Sequence, residues 1–425
     1  MAEHQKFQNA VYLRKEECVG CTTCIKRCPT GAIRVRDGKA SITKEYCIDC
    51  GECIRVCKHH AKVSKYDNLI SLNKYKYTIA LPAPTLYAQF NNLTDTNILL
   101  TALIDMGFDD VFEVGAAAEI VSKMTRRYLR EHPDGYPYIS TACPAMVRLI
   151  RIRYPNLIPH MLPILAPVEI AATLSRRHAI KATGLKSNEI GIFFISPCPA
   201  KVSSCKYPLT SEKCDVDGVL SIKAIYPLLL SHMEKLKESP KKLAKAGRTG
   251  IGWGHSEGEA TALLTDDYLA ADGIDNCIQA LDEFESSQLN DLKFIELNAC
   301  SGGCVGGTLT VANPYIARAR LKRIKRHLPP VPEPAIPKDF GFWTKKIEYE
   351  PVYELSDSFR ESLSIMRRIN EIASRLPGID CGACGAPSCN HLAEDIVRGN
   401  ASEKDCIYLI REKMKKEEDA SNESE

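Results

Sequence analysis

Between about residues 75 and 327 the hydrophobic pattern switches repeatedly between two periods. Short apolar runs predict strands over Tyr77–Leu81, Val111–Val114, Tyr138–Thr141, Ile190–Ile195, Val216–Leu220 and Phe294–Leu297. Between most of them apolar residues recur every three or four positions, as over Thr94–Met106 and Ala116–Arg130, and predict helices. Strands alternating with helices build a largely parallel sheet covered on both faces. The flanks read differently. Residues 1–70 are dominated by two runs of cysteine, and Leu328-Pro329-Pro330-Val331-Pro332-Glu333-Pro334 predicts an extended, semi-rigid linker. Beyond it Phe359, Leu363, Met366, Ile369 and Leu376 predict a helix that stops at Pro377-Gly378. The boundaries drawn are 1–70, 71–327, a linker and connecting segment at 328–357, 358–412, and a charged, disordered tail at 413–425.

Composition narrows the function classes. The chain has 425 residues, 44% hydrophobic and 26% charged, as in an ordinary globular protein of several domains. A net charge of +3 gives no reason to expect nucleic acid as a partner. No apolar run reaches the ~18 residues of a membrane span, and Met1–Tyr12 has no leader-like apolar core. The outlier is cysteine, with 19 copies. They are clustered, and nothing marks the chain for export, so a disulfide framework is the wrong reading. A cytoplasmic metalloprotein is expected.

Spacing within the clusters names the metal. The first run is Cys18-x2-Cys21-x2-Cys24-x3-Cys28-Pro29 and the second Cys47-x2-Cys50-x2-Cys53-x3-Cys57. Three cysteines so spaced wrap one cubane while the fourth reaches the neighbouring one. Cys18, Cys21, Cys24 and Cys57 are therefore assigned to one 4Fe–4S cluster, and Cys47, Cys50, Cys53 and Cys28 to another. Structural zinc, the other reading, leaves the doubled four-cysteine run unexplained. Near the C-terminus Cys381-Gly382-Ala383-Cys384-Gly385-Ala386-Pro387-Ser388-Cys389, followed by Cys406, resembles a small iron–sulfur domain of electron-transport and corrinoid-reducing proteins. That resemblance implies one 4Fe–4S cluster on Cys381, Cys384, Cys389 and Cys406; four thiolates also suit zinc.

Three further segments lie just past predicted strands, where parallel sheets place their ligands. They are Ser140-Thr141-Ala142-Cys143-Pro144, Ser196-Pro197-Cys198-Pro199-Ala200-Lys201, and Glu296-Leu297-Asn298-Ala299-Cys300-Ser301-Gly302-Gly303-Cys304. Together they resemble the signature segments of the iron-only (diiron) hydrogenases, in which paired ferredoxin clusters also precede the catalytic domain. The resemblance implies an H-cluster: a cubane held by Cys143, Cys198, Cys300 and Cys304, with Cys304 bridging to a diiron unit bearing CO, cyanide and an azadithiolate. Lys201 matches the lysine that contacts one cyanide, and Ala83-Pro84-Thr85 the loop lining the other. Pro197 falls in the same pocket.

The departures bear on activity. Ala142 stands where the family has a cysteine that delivers protons, and a methyl group cannot carry one. The family's flanking methionines are Ser196 and Asn298 here, and its relay glutamate falls near Lys123 or Met124. Gly250-Ile251-Gly252-Trp253-Gly254-His255 lacks nucleotide-loop spacing and reads as packing or a turn beside the cofactor. Cys205, Cys214 and Cys277 read as buried free thiols. His59, His60 and His391 read as surface residues, and the basic run Arg318–Arg326 as a solvated helix face.

The expectation is an α/β catalytic domain with mostly parallel sheets covered by helices, a small α+β ferredoxin-like N-terminal domain, and a small α-rich C-terminal iron–sulfur domain. The function implied is a slow hydrogenase, oxidising dihydrogen reversibly and passing electrons through accessory clusters. Its domain order resembles the sensory branch, so hydrogen or redox sensing through a separate ferredoxin-type or signalling partner is expected, as are dedicated maturation proteins. Neither nucleic acid nor membrane is an expected partner, and a homodimer is left open. The alternatives are a non-catalytic iron–sulfur carrier and an electron-transfer subunit on a hydrogenase fold.

Overall fold

The computed structural model describes residues 8–236, 239–286, 289, 291–330 and 340–422; the prolines from Val331 to Pro334 lie outside them. The chain divides into two compact units that interleave in sequence. The first comprises the residues up to Ala10, the loop Ile48–Gly51 and Ser64–Tyr349; the second comprises Val11–Cys47, Glu52–Val63 and the chain from Glu350 onward.

Strand β1 (Val11–Leu13), the antiparallel hairpin β2 (Ile33–Arg36) and β3 (Lys39–Ile42), and β4 (Lys62–Ser64), which pairs with β1, frame the N-terminal cysteines. The hairpin closes on Asp37-Gly38, both with positive φ (50° and 69°). A two-residue turn of that kind matches the natural twist of its strands. The small core here holds Ile25, Ile33 and Val35 with Cys18, Cys24 and Cys53. The rest of the second unit is helical: Phe359–Arg375, Cys389–Val397 and Ile407–Asn422. Ile369, Ile372 and Ala373 of the first helix join Leu376, Ala386 and Leu392 in a second small core, while Phe359, Leu363 and Met366 stay exposed. The last helix runs through most of the segment expected to be disordered, and there Lys413 pairs with Glu417 one turn on.

The first unit carries two parallel sheets. One has the order β6 (Asp110–Val111), β5 (Tyr77–Pro82), β8 (Ile190–Ser196), β9 (Gly218–Ser221); the other β10 (Tyr268–Asp272), β11 (Phe294–Asn298), β7 (Tyr138–Ile139). All seven residues of β8 are buried. A strand covered on both faces must read that way, and this is why the run is continuously apolar. The fold class expected from the alternation is the one adopted. The strand expected over Val111–Val114 stops at Val111, because Val114 opens the amphipathic helix Val114–Glu131, whose Ala117, Ala118 and Val121 face the core. Among the described residues no helix is long and apolar enough to cross a membrane.

Candidate metal centre

Each sheet delivers cysteines at the carboxyl ends of its strands. Past β7, Cys143 caps helix Pro144–Arg153; past β8, Cys198 caps helix Pro199–Lys206. Proline at the first helical turn makes both helix starts sharp, since its fixed φ suits that position. Past β11, Cys300 and Cys304 flank a tight turn in which Gly303 has φ +84°, and a Cβ there would lie 2.3 Å from the Ser256 nitrogen. Only glycine lets the turn press against that backbone.

Cys143, Cys198 and Cys304 come within electrostatic reach of one another and of Lys201. Burial pushes the Cys198 thiol up to about 12 and raises Cys304 too. Burial alone would lower Lys201, but negative charge on the surrounding cysteine sulfurs, Cys304 first, holds it above its ordinary value, and its Nζ donates to the Ala142 carbonyl at 2.9 Å. Cys300 sits on the same turn, accepting a backbone hydrogen bond from Gly303 at 3.0 Å.

Beside the thiols lies a cavity of about 60 Å³ lined by Ala83, Pro84, Thr85, Ala142, Pro197, Lys201, Asn298 and Cys304. The predicted pocket residues thus meet in one place, with one exception. Ser196 is not in the lining, because its hydroxyl donates to the Cys198 carbonyl (3.0 Å) and accepts from the Cys198 nitrogen (3.3 Å). The Thr85 hydroxyl is buried in the lining without a hydrogen-bond partner. A buried donor left unmatched by protein is what a polar ligand would complete. Trp253 and Gly254 of the glycine-rich run line the same cavity, and the Gly254 carbonyl accepts from Val305 at 2.9 Å.

Two lining residues escape sequence reasoning. Glu259 and Glu296 are buried carboxyls in the cavity wall. Glu259 accepts from the Ser140 hydroxyl at 2.6 Å, and that hydroxyl accepts from the Ala142 nitrogen at 3.3 Å. Glu296 accepts from the Ala260 nitrogen (2.8 Å), the Glu257 nitrogen (3.0 Å) and Asn298 Nδ2 (2.7 Å). Burial, then the charge of Glu296, pushes Glu259 up to about 8, and burial raises Glu296 as well. Glu296 had a weak signal, a carboxylate inside an otherwise apolar strand; Glu259 had none. Lys123 and Met124 line a separate cavity of about 670 Å³ instead.

In the second unit Cys57 joins Cys18, Cys21 and Cys24 around a cavity of about 20 Å³. Cys28, Cys47 and Cys53 pack in the same small core, while Cys50 belongs to the Ile48–Gly51 loop of the first unit. Cys384 lies within electrostatic reach of Cys381 and Cys406, and Cys389 packs in the same core. Cys205, Cys214 and Cys277 are buried thiols, Cys277 donating to the Ala271 and Asn298 carbonyls. His391 is not a surface residue: it is half-buried, and a Cβ at Gly31 would lie 2.5 Å from its Nε2. The basic run is also partly folded in, with Arg320 donating to the Ala88 and Gln89 carbonyls.

A family model described as the iron only hydrogenase large subunit, C-terminal domain, matches residues 76–269 and 255–308, more than half of the chain. This chain belongs to that hydrogenase family. A 4Fe-4S dicluster domain matches residues 10–58 and an Fe-S cluster domain residues 376–408. Iron hydrogenase 1 of Clostridium pasteurianum is 23% identical over 304 residues, which are 59% of this chain and 53% of that protein. The match therefore spans only about half the length of that relative. The periplasmic Fe hydrogenase large subunit of Nitratidesulfovibrio vulgaris is 25% identical over 359 residues, 70% of this chain and 85% of that one. The cytosolic Fe-S cluster assembly factor NAR1 of Scheffersomyces stipitis is 32% identical over 111 residues, 25% of this chain and 20% of that protein.

Proposed function

We propose that this hydrogenase-family chain interconverts dihydrogen with protons and electrons slowly, in the service of hydrogen or redox sensing. The observation that carries the reading is that Cys304, the buried Lys201 ammonium and the unmatched Thr85 hydroxyl line one cavity, with Cys143 and Cys198 within electrostatic reach of Cys304 and Lys201. That donor set fits an H-cluster: Cys143, Cys198, Cys300 and Cys304 would hold its cubane, and Cys304 would also carry the diiron unit. Bound there, the group would supply a metal centre for dihydrogen and a base for its proton.

The chain's own residues then have distinct tasks. Lys201, fixed by the Ala142 carbonyl, offers a compact cation to an anionic ligand, and Thr85 offers a hydroxyl donor. Val114, Ala118, Phe194 and Trp253 make much of the wall apolar and keep water out. Ala142 holds no proton. Glu259 can, at Oε2, because its raised pKa lets it bind and release one near neutral pH. Ser140 shares that oxygen, and Glu296 is the second carboxyl of the wall. Turnover is slow on this reading because the proton must find a carboxyl instead of a thiol at the cofactor. A ferredoxin-type or signalling protein in the cytoplasm would take the electrons, and maturation proteins would install the diiron unit.

A non-catalytic iron–sulfur carrier is the second reading, favoured by the likeness to a cluster assembly factor. One measurement separates them: infrared spectroscopy of the chain loaded with a synthetic diiron cofactor. Carbonyl and cyanide bands that shift under hydrogen, and vanish in Cys304→Ser, are the expected result. A silent spectrum with the cubane iron fully present would leave the carrier.

A further inference from the structure

The second unit sets its C-terminal cysteine loop against the hairpin that covers the first cysteines of the chain. Strand β2 makes the contact. The Val35 nitrogen donates to the Gly385 carbonyl at 2.9 Å, and Arg36 Nη1 donates to the Cys384 carbonyl at 2.5 Å. Asp395, buried, accepts from Arg34 Nε at 2.8 Å and from Arg36 Nη2 at 2.7 Å. The approach is close enough to require glycine: Gly385 has φ +81°, and a Cβ there would lie 1.8 Å from the Val35 carbonyl oxygen. Val35 also lines the small cavity shared by Cys18, Cys21, Cys24 and Cys57. Gly385, next to Cys384, and Val35 thus stand between the two thiol sets.

We propose that the Val35–Gly385 contact, latched by Asp395 on Arg34 and Arg36, is an electron bridge between the C-terminal cluster and the cluster of Cys18, Cys21, Cys24 and Cys57. The C-terminal cysteines are then the outer end of the relay and not an isolated structural site. The route runs from Cys384 through the Gly385 carbonyl and one hydrogen bond into Val35, whose side chain reaches the second thiol set. One electron crosses: the cluster that yields it is oxidised by one, the other is reduced by one, and no bond is made or broken. Arg36 adds a cation at the Cys384 end, which favours the more negative, reduced state there. The latch is costly to break, because removing the carboxylate leaves two guanidinium groups partly buried together.

This inference rests on both cysteine sets holding iron–sulfur clusters, so the test counts iron and reads the bridge separately. The full chain is reconstituted with iron and sulfide, reduced, frozen and measured by electron paramagnetic resonance. The signal lost in Cys381→Ser with Cys384→Ser identifies the C-terminal set. In the unaltered chain that signal is expected to be broadened and fast-relaxing through coupling to its neighbour. Asp395→Asn, and separately Gly385→Val, should narrow it with iron content unchanged; either variant that keeps its iron decides. A full iron count with an uncoupled signal in the unaltered chain overturns the bridge alone, as does unchanged broadening in the iron-replete variants. Absence of iron from the C-terminal cysteines overturns the cluster reading and the bridge with it.

Discussion

Glu259 has neighbours that a merely structural carboxylate would not need: a hydroxyl from the Ala142 segment, a second buried carboxyl, and a cavity beside the thiols. Replacing it with glutamine keeps a partner for Ser140 but cannot bind a proton. On the proposed reading Glu259→Gln lowers hydrogen turnover by about 10²–10⁴-fold, the usual worth of a positioned acid–base group. Ala142→Cys raises turnover and offsets part of that loss, because a thiol returns to the place the family uses; hydrogen uptake with an artificial dye measures both. A structural readout is independent of turnover. Because the folded pKa of Glu259 is raised, its contribution to stability is complete below the ordinary carboxylate range and is lost as pH rises through about 8. Thermal melts of the chain without its diiron unit should lose stability over that window, and the loss should be smaller in Glu259→Gln. Equal pH dependence in both would refute the shift.

Elements show why some of the chain was legible. The strands at Tyr77, Ile190 and Phe294 were readable because burial on both faces makes most of their residues apolar, and the ends of the last two placed Cys198 and Cys300. Tyr268–Asp272 was missed: its Leu269, Ala270 and Ala271 lack β-branched or aromatic weight, and it becomes a strand by pairing in parallel with β11. A similar long-range decision fixes the loop between Cys47 and Cys50. Asp49, with its side chain fully buried, accepts from the Ala10 nitrogen at 3.2 Å and from Arg148 Nη1 at 3.1 Å. Arg148 also donates to Ser203 at 2.8 Å, so one ion pair ties that loop to the helices that follow Cys143 and Cys198. Asp49→Asn tolerates the same positive φ but takes the carboxylate away from a buried guanidinium, and should cost about 3–5 kcal/mol. Denaturant unfolding followed by circular dichroism checks this, and a midpoint within error of the parent would remove the pair's structural role.

At the scale of the whole molecule the two units differ in what holds them. The first has extended apolar cores built on Ile79, Leu81, Phe193 and Phe194. The second has two small ones in which cysteines are themselves core residues. Cores that small lean on metal for their stability. Removing iron and sulfide with a chelator should therefore abolish hydrogen-exchange protection over residues 11–47 and 376–408, while Tyr77–Pro82 and Ile190–Ser196 keep theirs. Uniform loss in both units would contradict this division. The sequence by itself determined the spacing of the cysteines within each run and the position of three cysteine-bearing segments just past strand ends, because those are local in spacing and burial. Only the tertiary structure decided that Glu259 meets Ser140 across 119 residues, that Asp49 meets Arg148, and that Gly385 lies on Val35. Those contacts join residues far apart in the chain, and what selects them is the desolvation of charge and the close fit of backbone, neither of which leaves a period or a motif behind.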